Sequence, residues 1–262
     1  MDIIHLPIEL WTLIVNLLDI KVQVRLIQLC KTIKNNIFIT DLCNIDKNLK
    51  KKLNRDIIKK YPYIKKLYAH GDSGIDDDSL VGVNLVELNA CKNPKIKKIN
   101  HMSNLRILNA EWNCGIDDES LIGLNLVELN AGDNPKIKKI NHMTNLRILD
   151  AGRNSGIEDD SLVGLNLVEL VAWNNPKIKK INHMTNLRIL NAGINCGVDD
   201  DSLAGVNLIK LFANSNQKIK NINHMTNLRI LYAYGNCGID DDSLVGLNLE
   251  ELHAYDNSKI KN

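Results

Sequence analysis

The sequence is short of aromatic residues, of proline and of net charge. Its 262 residues include two Phe, three Trp, six Tyr and five Pro. Hydrophobic residues nevertheless make up 44% of the chain, which excludes a disordered polypeptide and demands an aliphatic core. The formal net charge is +2, from 33 Lys and Arg against 31 Asp and Glu, which excludes the marked basic excess of a general nucleic-acid binder. Long apolar runs are missing too: Leu10 to Ile20 is short and interrupted by Asn16 and Asp19, so no membrane span is expected. The start, Met1-Asp2-Ile3-Ile4-His5, has no basic leader region. A cytoplasmic protein is the expectation.

What the chain has in abundance is repetition. HMSNLRILNA at His101 returns as HMTNLRILDA at His142, HMTNLRILNA at His183 and HMTNLRILYA at His224, always 41 residues apart. A second phrase, LNLVEL at Leu124 and Leu165 and VNLVEL at Val83, runs between these copies. Both fit one template, L-x-x-L-x-A-x-x-N-x-x-I. Ten units begin at Ile64, Leu85, Leu105, Leu126, Leu146, Leu167, Leu187, Leu208, Leu228 and Leu249, in steps alternating 21 and 20.

Strand period 2 turns positions 4 and 6 inward and the intervening residues outward. One coil cannot bury its apolar face alone, whereas stacked coils form a continuous core and a parallel sheet. Ten strands at about 4.8 Å predict a solenoid about 45–50 Å long. The template resembles that of leucine-rich repeats, which implies an α/β repeat solenoid over 63–262 with its parallel sheet on the concave face. An Asn ladder at position 9 is expected to be buried and to satisfy turn backbone groups, from Asn93 to Asn257. D-D-E-S-L-I-G-L from Asp117 predicts one helical turn stopped by Gly123, and K-I-K-K-I-N from Lys136 an irregular or 3₁₀ stretch.

The charged runs invite chemistry that the repeat explains away. Asp117 and Asp118 occupy the positions of Lys138 and Lys139 in the next coil, so cross-coil ion pairs are expected rather than calcium or phosphate sites. Cys114, Cys196 and Cys237 share a column with Ser155, and His101, His142, His183 and His224 form another. Equivalent residues two coils apart sit about 10 Å from one another, too far for a disulfide or a zinc set. No nucleophile–base pair or phosphate loop stands out, so neither an enzyme nor a cofactor or metal is expected.

Positions that vary among copies are free for recognition. All seven aromatics after Ile64 fall at positions 5, 7 or 8: Tyr68, Trp112, Trp173, Phe212, Tyr232, Tyr234 and Tyr255. Exposed aromatics on a concave sheet are typical protein-binding anchors, so these are the candidate target-binding residues. The chain stops within the tenth unit, and edge-to-edge self-association there is a further expectation.

The first forty residues do not repeat. L-P-I-E-L-W-T-L-I-V-N-L-L from Leu6 places Leu10, Leu13, Ile14 and Leu17 on one helical face, and V-R-L-I-Q-L-C-K-T-I from Val24 forms a second amphipathic stretch. This pattern resembles an F-box, the helical motif that docks on the Skp-type adaptor of cullin–RING ubiquitin ligases, although Ile33 stands where a Trp is frequent. The resemblance implies adaptor contact by Leu6, Pro7, Leu10, Ile14, Leu17, Cys30 and Lys31. The expected organisation is an F-box-like domain at 1–40, a helical linker or cap at 41–62 and the solenoid beyond. An F-box joined to leucine-rich repeats implies the substrate-recognition subunit of a ubiquitin ligase with a protein target. The alternative is a scaffold or decoy whose N-terminus is a cap. Heavy use of Ile, Lys and Asn resembles repeat proteins of large cytoplasmic DNA viruses or amoebae.

Overall fold

The computed structural model describes residues 7–29, 39–43 and 47–261. Eleven strands form one parallel sheet in chain order. They are β1 (Asp41–Leu42), β2 (Lys66–Tyr68), β3 (Glu87–Asn89), β4 (Ile107–Asn109), β5 (Glu128–Asn130), β6 (Ile148–Asp150), β7 (Glu169–Val171), β8 (Ile189–Asn191), β9 (Lys210–Phe212), β10 (Ile230–Tyr232) and β11 (Glu251–His253). From β2 onward each residue lies opposite its equivalent, as Leu149 does Leu170 and Leu170 does Leu190. The inward residues Leu167, Leu170, Ala172 and Ile178 are fully buried, and the same columns recur along the coils. Each buried Leu or Ile contributes about 1.5–3 kcal/mol, and no aromatic side chain belongs to the buried core of the described residues. The expected α/β repeat solenoid is thus present.

Position 8 turns the chain out of each strand. Lys92, Trp112, Asp133, Arg153, Asn174, Ile194, Ser215, Gly235 and Asp256 all have positive φ, between 51° and 62°. For a residue other than Gly this conformation costs about 1–2 kcal/mol, and it suits a β-branched residue such as Ile194 least.

The position-9 ladder is half of what the sequence suggested. Asn93, Asn134, Asn175, Asn216 and Asn257 are buried, whereas Asn113, Asn154, Asn195 and Asn236 are exposed. Asn175 Nδ2 donates to Ala151 O at 2.7 Å and Ile157 O at 3.1 Å in the preceding coil, while its Oδ1 accepts from Lys177 N at 3.1 Å. In the other coil type a glycine draws the turn tight: Gly156 N donates to Asn134 O, and a Cβ there would meet Ile137 O at 2.4 Å. The neighbouring Cys114, Ser155, Cys196 or Cys237 then occupies the interior. The structural unit is therefore the pair of coils.

The charge columns also work differently from expectation. Asp118 Oδ1 accepts from the backbone N–H groups of Lys138 and Lys139 at 2.6 and 2.8 Å. Asp77 and Asp159 bind the equivalent amides of Lys97, Lys98, Lys179 and Lys180. Among the described residues no ion pair joins these columns, because the carboxylates cap orphaned amides instead of lysine ammonium groups. The first acid of the triplet caps a helix at Asp76, Asp117, Asp199 and Asp240: Asp199 Oδ1 accepts from Ser202 N and Oγ at 2.9 and 2.6 Å. This capping starts the one-turn helices Asp77–Leu80, Glu119–Leu121, Asp159–Leu162, Asp201–Leu203 and Asp242–Leu244. The following glycines, Gly82 to Gly246, stop them at φ between 76° and 81°. His101, His183 and His224 place Nε2 3.0–3.2 Å from a carbonyl of the preceding coil, which identifies Nε2 as the protonated nitrogen.

Before the solenoid lie helices α1 (Ile8–Asn16), α2 (Ile20–Leu29), α3 (Lys47–Lys50) and α4 (Arg55–Lys59). The segment expected as a helical linker or cap, 41–62, begins with a strand and carries two short helices among its described residues. Leu42 pairs with Leu67 in the sheet, and Leu42, Leu53 and Ile58 are buried over the first coil. Asn54 interrupts the segment by capping α4 through Ile57 N at 3.0 Å. The solenoid consequently begins one strand earlier than the repeats do.

Two outcomes check this scheme. Asn175→Ala strands two buried carbonyls and is expected to cost about 2–4 kcal/mol, whereas Asn154→Ala, at the same repeat position, stays within about 0.5 kcal/mol. Urea denaturation of both variants measures the contrast, and equal losses would reject the two-coil unit. Acid provides the second test. Hydrogen bonds from Ser79, Ser202 and Ser243 hold the carboxyls of Asp76, Asp199 and Asp240 below the ordinary 3.8. Their stabilisation is complete above that value and is lost as pH falls through the lowered one. Thermal melts should therefore fall away below about pH 4, and less steeply in Ser202→Ala.

Candidate protein-binding face

Outward positions of the strands and of the turns that follow form one face, and the structure sorts its aromatics into groups. At the N-terminal end Tyr68 stacks on His70 at 5.8 Å under Lys50 Nζ, 3.9 Å from the ring. Mid-face, the Arg153 guanidinium lies 5.0 Å from the Trp112 ring and 4.7 Å from the Trp173 ring. It pairs with Asp133 at 3.1 Å and Glu111 at 3.8 Å. At the C-terminal end the rings of Phe212 and Tyr232 stack at 4.5 Å, and those of Tyr232 and His253 at 4.3 Å. Tyr234 meets Tyr232 edge-on at 5.8 Å. Tyr255 is 76% exposed beyond this stack.

The seven aromatics expected at the site are thus on the face but not in one patch. Of Phe212, Tyr232, Tyr234 and Tyr255, which fall on successive strands, the first three come together with His253, and no ring contact among the described residues reaches Tyr255. Trp112 and Trp173 are joined by Arg153. Arg153 and His253, at variable positions 8 and 5, join these ring contacts without being Phe, Trp or Tyr, and only their variation between copies marks them in the sequence.

Position 5 is less free than its variation suggested. The side-chain oxygens of Asn89, Asn109, Asn130, Asp150 and Asn191 each accept from the backbone N–H two residues on, at 2.9–3.2 Å. This Asx turn is the default of the scaffold. It is abandoned in concert on β9, β10 and β11, where the ring stack replaces it.

Electrostatics separate the middle of the face from the rest. Burial, with repulsion from Asp150, raises the Glu111 carboxyl above its ordinary value. Burial likewise raises Asp150. Burial pushes the thiols of Cys114 and Cys196 up to about 11 and that of Cys43, with help from Asp41, to about 12. Among the described residues no group of three or more His, Cys, Asp or Glu could hold a metal ion, and no described helix is long and apolar enough to cross a membrane.

At the other end of the chain α1 and its C-cap Leu17 expose Leu10, Leu13, Ile14 and Leu17 by between 38% and 87%, while Val15 is buried. Pro7, also exposed, precedes the helix as its N-cap. Leu6, Cys30 and Lys31, the other expected adaptor contacts, lie outside the described residues.

No family model and no curated protein matches this chain. Among solved structures, that of the Rad7 and Elc1 complex in yeast resembles it with a TM-score of 0.49 and 13% sequence identity, covering 98% of this chain and 85% of the other.

Gly152 offers a local test. A Cβ there would sit 2.9 Å from Cδ1 and Nε1 of Trp173. Gly152→Ala should push the indole off Arg153 and red-shift its fluorescence, at a stability cost of about 1 kcal/mol. Subtracting the spectrum of Trp173→Phe isolates the signal, and an unchanged spectrum would reject the Trp112–Arg153–Trp173 arrangement.

Proposed function

We propose that this chain is a non-catalytic receptor: its N-terminal helices dock on a Skp-type adaptor of a ubiquitin ligase, and its concave face holds the protein to be modified. The exposed apolar ridge Leu10, Leu13, Ile14 and Leu17 carries the first half of the reading. Four apolar side chains at i, i+3, i+4 and i+7 form one helical face, and leaving it in water is costly unless a partner covers it. The concerted replacement of the Asx turn by aromatic rings on β9–β11 supports the second half. Joining the two ends raises the effective concentration of the target at the ligase without chemistry in the chain itself.

A second reading takes the N-terminal helices as a cap over a scaffold or decoy. It is favoured by Val24 of α2, which packs against the buried cluster together with Leu49 and Ile57. Among the described residues β11 is paired on one side only, with Leu252 at an inward position yet 41% exposed, and edge-to-edge self-association there belongs to the proposal.

Pulldown with a purified Skp-type adaptor separates the readings. The intact protein should bind it, and Leu10→Ala with Leu17→Ala should weaken binding at least about tenfold while leaving the thermal melt unchanged, because both side chains face water. No binding by the intact chain, or equal binding by the variant, would leave the cap as the sole role of these helices.

A further inference from the structure

The middle of the concave face and its C-terminal end differ in chemistry, and together they specify a ligand class. Around β4 to β7 five outward carboxylates gather: Glu111, Glu128, Asp133, Asp150 and Glu169. The cations on the same surface are Arg153, Lys92 and, on β9, Lys210, whose Nζ lies 4.8 Å from the Phe212 ring and 5.4 Å from that of Tyr232. Arg153 is already committed to Asp133 and Glu111, and Lys92 lies 4.6 Å over Trp112. Arg106, Arg147 and Arg188, at the strand starts, turn Nη1 onto carbonyls of their own edge, as Arg147 does to Thr144 and Leu146 at 3.0 and 2.9 Å. Among the described residues no ion pair reaches Glu128, Asp150 or Glu169. The floor between them is low, because position 7 is Gly132, Gly152 and Gly193 in three of four successive units. Arg153 itself shows which group this surface holds well: a guanidinium between indole rings and beside carboxylates.

At the other end Phe212, Tyr232 and His253 stack face on face, so their ring edges point away from the sheet. Ring edges carry the positive pole of the aromatic quadrupole and favour the π face of another aromatic laid across them. From β6 to β10 is four strand spacings, about 19 Å. About six residues of extended chain cover that distance.

We infer that the concave face takes an extended basic segment, with Lys or Arg over Glu128, Asp150 and Glu169 and an aromatic side chain about six residues away on the ring edges of Phe212 and Tyr232. This rests on the reading of the concave face as the target-holding surface and is independent of the adaptor contact.

Fluorescence anisotropy with the full chain tests it. The probe is a fluorescein-labelled Gly/Ser peptide of about 15 residues, carrying two adjacent Arg and a Trp about six residues further on. Saturable binding is expected. Replacing both Arg by Glu, or moving the Trp next to them, should weaken binding at least about tenfold, as should Glu128→Gln with Glu169→Gln in the protein. Raising the salt from about 50 to about 300 mM should weaken it too. Equal binding of the Glu peptide, indifference to the Trp position, or no saturation by the Arg peptide would overturn the assignment. Adaptor pulldown on the same preparation keeps the two readings apart: capture of the adaptor alongside failure of the peptide removes the ligand class and leaves the receptor.

Discussion

The fold depends on one hydrogen-bonding device, the buried Asn that reaches backward. In Asn93, Asn134, Asn175 and Asn216 a single carboxamide closes its own turn through Oδ1 and saturates two carbonyls of the preceding coil through Nδ2. Those carbonyls cannot reach water, and each one left unpaired would cost about 1–3 kcal/mol. The device couples neighbouring coils more specifically than Leu packing does, because burial is non-directional and a hydrogen bond is not. It also explains why the motif has two halves. A coil whose turn is satisfied from the next one can use a glycine and a small buried Cys or Ser where its neighbours need Asn.

The acidic triplets extend the same economy to the opposite edge. One carboxylate caps a helical turn, the next binds two amides of the following coil, and the third faces water. Backbone groups are thus matched coil to coil at both ends of the strand. The strands can then be only three residues long and the buried core free of aromatic side chains among the described residues. Aromatic side chains are not needed for packing the coils, and those of the repeats sit at outward positions.

Much of this could be read from the residues. The repeat register, the inward columns, the helical turns with their glycine stops and the outward aromatics follow from spacing and from period 2. What escaped was what spacing cannot report. Asn154 and Asn175 share a repeat position, yet one faces water and the other is buried, because the glycine in one turn type draws the chain onto its neighbour. Asp118 and Lys138 align as opposite charges, but the carboxylate prefers two fixed amides to one mobile ammonium. β1 went unseen because Asp41–Leu42 carries no repeat template and is a strand only by virtue of β2 beside it. Position 5 looked variable, although its commonest residue, Asn, is held by an Asx turn.

That last point bears on how recognition arises in such a scaffold. Where position 5 is Asn the turn is locally self-sufficient, and an isolated change to an aromatic would forfeit its hydrogen bond for a single exposed ring. Three adjacent changes alter the balance. Stacked rings at strand spacing, 4.3–4.5 Å here, support one another by about 0.5–1.5 kcal/mol per contact beyond their buried area. The freed amide of Tyr234 also finds Asn214 Oδ1 at 2.9 Å on the neighbouring coil. Parallel in-register strands impose that spacing on every outward column. A binding surface on this solenoid therefore forms most readily as a run of like residues on consecutive coils, and a lone aromatic such as Tyr68, followed by Asn89 in its column, is the weaker indication of a site.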